Sequence, residues 1–309
     1  MIKELISLLA VYITLFLFGM IVLRTGLFQL GGRSLQRWMQ QMTDTPWKGF
    51  IIGIIATALL QSSSVIIVMI VGLVAAKIIQ FRHSIGIILG ANIGTTFTTE
   101  LLTLDVSSLI IPLLVVGFVA LLIPKTLPFS LGCFAFGLSC IFIAMDGLKS
   151  LAFPLSSIPN IHSFFHLTNE HLFLGVSLGA IMTALIQSST ATTAIAMGFM
   201  NDHILHLPAG IAIMLGANIG TCITAYLASL GSGKSARLVA FANIWVNVIG
   251  VLLFLPIIDL LSMVTDFLTP DPMTQLAHAS VIFNTICSLI LLPIANRFAS
   301  LIQRMHKRG

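Results

Sequence analysis

The sequence predicts an all-α polytopic membrane protein, an inverted repeat with two re-entrant helical hairpins and broken transmembrane helices. Three observations predict it: scarce charge, membrane-length apolar stretches, and a duplicated polar motif inside those stretches. Lys and Arg number 15 and Asp and Glu 10, so 8% of the 309 residues are charged. A soluble domain carries about 25%. Apolar residues make up 57% and the mean hydropathy is +1.07. A soluble fold of this length could not hide so much apolar surface. A soluble enzyme, a nucleic-acid binder and a disordered protein are thereby excluded. The net charge of +5 belongs to short loops between apolar stretches, where it orients a chain in a bilayer.

Seven stretches, near 5–23, 84–104, 107–123, 129–147, 207–230, 237–257 and 278–296, are read as spans, each near the ~20 residues that a crossing takes. Met1-Ile2-Lys3-Glu4 precedes the first without a small-residue cleavage site, so it reads as a retained span rather than a signal peptide. Residues 27–45, with Arg33, Arg37, Trp38 and the adjoining Trp47, read as an interfacial helix. Residues 49–76 and 175–200 carry polar clusters in their middles, Gln61-Ser62-Ser63-Ser64 and Gln187-Ser188-Ser189-Thr190. About 12 residues, or ~18 Å of helix, precede each cluster, enough for half a bilayer. Each is read as a hairpin that enters, turns at the cluster and leaves by the same side.

With the N-terminus outside, the inner side carries 13 basic residues: Arg24, Arg33, Arg37, Lys48, Lys77, Arg82, Lys125, Lys234, Arg237, Arg297, Arg304, Lys307 and Arg308. Lys3 and Lys149 stand on the outer side, whose loops hold Asp259, Asp266 and Asp271. This bias puts the C-terminus in the cytoplasm and the chain in the cytoplasmic membrane.

Residues 57–64 (TALLQSSS) recur as 183–190 (TALIQSST), and 89–95 (LGANIGT) as 215–221, both offset by 126. Aligning 49–104 with 175–230 without a gap gives 23 identities in 56 positions. Three spans separate the hairpins, so the second copy is expected upside down, with the polar tips meeting near the midplane. That is the architecture of secondary transporters. The expected units are 1–128 and 129–257, followed by 258–309 as outer loop, last span and basic tail.

A hairpin tip frees backbone groups, which in lipid is tolerated only where the chain is buried or lines a wet cavity. Free N–H groups at a helix start, with Ser hydroxyls, suit an oxyanion. Carbonyls, hydroxyls and the Gln amide suit a hard cation. The glycines of Gly90–Thr96 and Gly216–Cys222 are expected to permit unwinding and close approach. Asn92, Thr95, Thr98, Asn218, Thr221 and Thr224 add neutral oxygens. This centre is expected to hold no charged side chain, so that co-bound cations neutralise an anion. Small hydroxylated residues in membrane helices are usually packing positions. Duplication with Gln and Asn at one spacing favours a site.

Cys133, Cys140, Cys222 and Cys287 lie in apolar stretches and read as reduced packing residues. Asn247 and Asn284 are assigned interhelical hydrogen bonds, and His278 an interfacial place. His162, His166 and His171 surround a Pro159-containing loop without an acidic ligand set, and no metal site or cofactor is assigned to them.

The paired QSSS and GANIGT motifs, with Ala-His-x-x-x-x-Phe-Asn at 277–284, resemble the type II sodium/phosphate cotransporter family over about residues 5–296. The resemblance implies sodium-coupled transport of inorganic phosphate, not enzyme activity, by alternating access. It implies substrate and sodium sites at Gln61–Ser64 and Gln187–Thr190, with Asn92, Thr95, Asn218 and Thr221. Sodium is the coupling ion; no cofactor and no nucleic acid is implied. The chain departs at Thr190, which replaces a Ser, and at Val65, where many relatives have Thr. Many bacterial relatives append a PhoU-like domain, which this chain is expected to lack. A homo-oligomer stays open. The alternatives are a carrier of another small anion such as a dicarboxylate, an ion channel, or an intramembrane serine hydrolase.

Overall fold

The computed structural model describes residues 2–41, 44–200 and 204–306. Helix α1 (Ile2–Gln41) leads to the first hairpin, α2 (Pro46–Leu60) and α3 (Ser63–Ala75). Then come α4 (Phe81–Leu101), α5 (Ile110–Leu121) and α6 (Thr126–Ser156). Helix α7 (Pro159–Glu170) meets α8 (Leu172–Ile186) at 114°, and α9 (Ser189–Met200) completes the second hairpin. One span holds α10 (Leu207–Gly220) and α11 (Cys222–Ser229). Helix α12 (Lys234–Phe254) continues through a tight turn at Pro256 into α13 (Ile258–Leu268), and α14 (Pro272–Leu291) through Pro293 into α15 (Ala295–Met305). A proline lacks the N–H of the helical ladder, which explains both interruptions.

Local chemistry sets the starts. Thr45 caps α2, accepting from the Lys48 N–H at 3.3 Å, with Pro46 in the first turn. Asp271 caps α14, accepting from the Thr274 N–H at 2.9 Å, with Pro272 behind it. Gln275 Nε2 then donates to Asp266 Oδ1 at 2.9 Å, tying α14 to α13.

Several expectations are corrected. Among the described residues five stretches, not seven, are long and apolar enough to cross a bilayer by themselves: Ile2–Gly32, Thr126–Ser156, Leu207–Ser229, Lys234–Leu268 and Pro272–Met305. Helix α4 has the length, at 21 residues, but carries Arg82, His83, Asn92, four threonines and Glu100. Helix α5 has 12 residues, about 18 Å of rise. The interfacial helix assigned to 27–45 is the continuation of α1 as far as Gln41; no proline stops it, and a glycine costs a helix only about 1 kcal/mol. The loop after residue 258 begins as α13, whose Ile258, Leu261 and Thr265 are buried. The loop of His162 and His166 is α7, where His166 Nδ1 lies 3.5 Å from Glu170 Oε1. Lys307 and Arg308 lie outside the described residues.

The span 84–104 is not unwound at Gly90–Thr96; α4 runs through it unbroken. The second span is interrupted only at Thr221. The glycines serve close approach instead. A Cβ on Gly90 would lie 2.0 Å from the Phe50 carbonyl oxygen, and one on Gly216 1.9 Å from that of Val176. Since 50 and 176 are also 126 apart, α2 crosses α4 as α8 crosses α10. Gly94 against Thr57 and Gly220 against Thr183 repeat the match one turn on.

Apolar side chains bury into two clusters. One joins α1, α6, α9, α10 and α14; the other joins α2, α3, α4, α12 and α15. Outside, large apolar side chains such as Val11, Ile111, Leu185 and Phe267 stand exposed. So much exposed apolar surface marks a lipid-facing wall.

Candidate binding site at the paired hairpin tips

Each hairpin turns at one residue in the left-handed region, Gln61 at φ 52° and Gln187 at φ 58°. The next residue caps the second helix in both. Ser62 Oγ accepts from the Val65 N–H and Ser188 Oγ from the Ala191 N–H, each at 3.3 Å. The first helical backbone bonds are Ile66 N–H to Ser62 O and Thr192 N–H to Ser188 O. The N–H groups of Ser63, Ser64, Ser189 and Thr190 precede them and have no partner within their helices.

These two helix starts meet. Ser62, Ser63, Ser64, Thr95, Gln187, Ser188, Ser189 and Thr190 line one gap of about 10 Å³, a water-sized space. Arg24 lines it too. Ser63 and Ser64 also line a second small gap, with Asn92, Thr221 and Asn243. Among the described residues, the hydroxyls of Ser63, Ser64, Ser189 and Thr190 have no hydrogen-bond partner. The lining of these gaps contains no His, Asp or Glu.

Gln61, Thr98, Asn218 and Thr224 stand back from these gaps, and Thr95 and Thr221 line them with hydroxyls already bonded. Thr98 donates to Gln61 Oε1, and Gln61 Nε2 donates to the Ala58 carbonyl. Asn218 Nδ2 donates to Met214 O at 2.9 Å, on its own helix. Thr95 and Thr221 bond back to Ala91 O and Asn218 O at 2.9 and 2.8 Å. Thr224, the equivalent of Thr98, holds a buried hydroxyl with no partner, and Gln187 is exposed. The repeat is thus symmetric in backbone and asymmetric in side-chain bonding.

Arg24 corrects two expectations. It was placed in an inner loop, and the centre was expected to hold no charge. Because α1 does not end at Leu23, Arg24 stays within the helix, and its Nε–H donates to the Gln61 carbonyl at 2.9 Å. Among the described residues no carboxylate pairs with it. Glu100, near the end of α4, was also missed: its Oε1 lies 2.8 Å from His278 Nδ1, joining α4 to α14. Of the two assigned interhelical bonds, that of Asn284 is corrected. Asn284 bonds Ser280 O at 2.9 Å on its own helix. Asn247 bonds Asn243 O at 2.9 Å and also makes the expected bond between helices, donating to Cys222 Sγ on α11 at 3.5 Å. A buried Asn in a helix finds its nearest acceptor one turn back. The four cysteines are free and buried. Asn243 was legible only as part of its span; it reaches the site because α12 packs beside α3 and α11.

Fold and site define an all-α membrane protein whose polar centre lies between two hairpin tips. The chain belongs to the Na+/Pi-cotransporter family, whose model matches residues 15–150 and 156–266. An uncharacterized Bacillus subtilis (strain 168) protein, YqeW, is 37% identical over 290 residues, 94% of each chain. The putative inorganic phosphate export protein YjbB of Escherichia coli (strain K12) is 25% identical over 288 residues, 93% of this chain and 53% of YjbB. This chain therefore spans about half the length of YjbB. The Homo sapiens sodium-dependent phosphate transport protein 2B is 33% identical over 125 residues, 38% of this chain and 18% of that protein. No solved structure matches the chain.

Proposed function

We propose that this protein is a sodium-coupled carrier of inorganic phosphate that works by alternating access across the cytoplasmic membrane. One observation carries the reading: two helix starts face each other across one gap, each offering two free N–H groups and two free hydroxyls. Helix N-termini favour anions through their dipoles and their unpaired donors. A tetrahedral oxyanion would accept from both tips at once. Asn92, Thr95, Thr221, Asn243 and Gln187 add neutral oxygens nearby, the ligand type sodium takes in interrupted-helix transporters. Serine hydroxyls without a neighbouring base suit binding rather than nucleophilic attack, so the protein is read as a carrier and not an enzyme.

In this reading residues 1–128 and 129–257 are the two inverted units. The 126-residue match of α2 on α4 with α8 on α10 supports it. The gap is smaller than phosphate, so the tips part to load and close to occlude. The names of YjbB and of protein 2B agree on phosphate; one adds export and the other sodium dependence.

Reconstitution into proteoliposomes tests this. Phosphate flux is expected with an imposed sodium gradient and is expected to vanish when potassium replaces sodium. Equal flux in both, without a pH gradient, overturns the coupling.

A further inference from the structure

We propose that Arg24 is an anion-binding residue of the carrier, a tethered cation whose guanidinium donates to the phosphate held between the tips. Arg24 lies within the apolar stretch Ile2–Gly32. A charge at that depth is costly and persists where it faces a partner or a polar cavity. The cavity here is the gap between the tips, which Arg24 lines beside Ser62–Ser64 and Gln187–Thr190. Its one hydrogen bond among the described residues, from Nε to the Gln61 carbonyl at 2.9 Å, tethers the fork beside the first tip. Both terminal nitrogens keep their donors free among the described residues. A planar fork with free donors suits two oxygens of one phosphate, and its charge strengthens each bond.

The repeat sharpens the point. Arg24 bonds the carbonyl of Gln61, whereas among the described residues no side chain bonds that of Gln187, its equivalent at the second tip. The Gln187 carbonyl therefore gets no fixed cation, while the Gln61 carbonyl does. A purely structural role, satisfying the carbonyl at the end of α2, would use Nε alone. It would leave unexplained why a charged side chain with free donors lines the space between both tips.

The proposal rests on the phosphate reading, and the experiment separates the two. Thermal stabilisation of the full-length protein in detergent is measured against phosphate in saturating sodium, and against sodium alone. Arg24→Gln is expected to weaken phosphate binding by about 10- to 100-fold, the worth of one or two charge-assisted hydrogen bonds. Its response to sodium alone is expected to match wild type. Arg24→Lys, with the charge but not the fork, is expected to fall between. In the wild-type protein, phosphate is expected to slow phenylglyoxal modification of Arg24 but not of exposed Arg82, read by peptide mass spectrometry. This second measurement holds even if the variants do not fold. Undiminished phosphate affinity in Arg24→Gln, parallel loss of both responses, or an unprotected Arg24 overturns the assignment of Arg24 alone. A wild-type protein that phosphate does not stabilise overturns the carrier reading, and the role of Arg24 with it.

Discussion

Gln61 and Gln187 hold positive φ, a region that costs an L side chain about 1–2 kcal/mol. The side chain of Gln187 makes no hydrogen bond among the described residues. Gln187→Gly is therefore expected to keep stability within about 1 kcal/mol of wild type while reducing phosphate flux. Gln187→Val, β-branched in that conformation, is expected to cost about 1–3 kcal/mol. Thermal unfolding beside flux in the same variants checks both. A second contrast uses the asymmetry. Thr98→Val strips Gln61 Oε1 of its donor, at an expected cost of about 1–3 kcal/mol, whereas Thr224→Val removes a hydroxyl with no partner and is expected to be neutral or stabilising. Equal effects of the two would show that the halves bond alike. The tips were legible in sequence because Gln and Ser at membrane depth, written twice, exceed what packing needs. Arg24 was not, because it directly follows Leu23 and reads as the first loop charge. Only the continuation of α1 brings it back to the tip.

At the scale of elements, the helix crossings depend on glycines without room for a Cβ. Gly90→Ala and Gly216→Ala each drive a methyl into a backbone carbonyl of the facing helix. Each is expected to cost about 1–3 kcal/mol. Gly72→Ala, in α3 with nothing near the new Cβ, is expected to gain up to about 1 kcal/mol from helix propensity. Thermal denaturation of the three variants in one detergent checks the order; a stable Gly216→Ala protein would mean that α8 and α10 part more easily than their contact suggests. Hydropathy placed the hairpins within a few residues of α2–α3 and α8–α9, since each polar cluster divides an apolar run. It could not tell a glycine that unwinds a helix from one that admits a neighbour, which is why α4 was expected to break. It also ended α1 early and missed α7 and α13, because length and charge alone do not show where a helix continues past the apolar run.

At the scale of the molecule, the first hairpin and α4 pack into one apolar cluster, and α9 and α10 into the other. One tip therefore comes from each cluster, and in the proposed carrier the gap between them would change as the two hairpins move relative to one another. The 126-residue offset made the pairing of the two tips legible, while the grouping of the helices into clusters and the side-chain asymmetry between the halves needed coordinates. Thiol labelling of the tips tests the shared site most directly. With Cys133, Cys140, Cys222 and Cys287 replaced, Ser63→Cys and Ser189→Cys are each exposed to a small hydrophilic thiol reagent from either side of sealed vesicles. Sodium with phosphate is expected to slow labelling at both tips together, and conditions that favour one facing are expected to shift both to the same side. Two tips that label independently, each indifferent to sodium and phosphate, would contradict a single site between them.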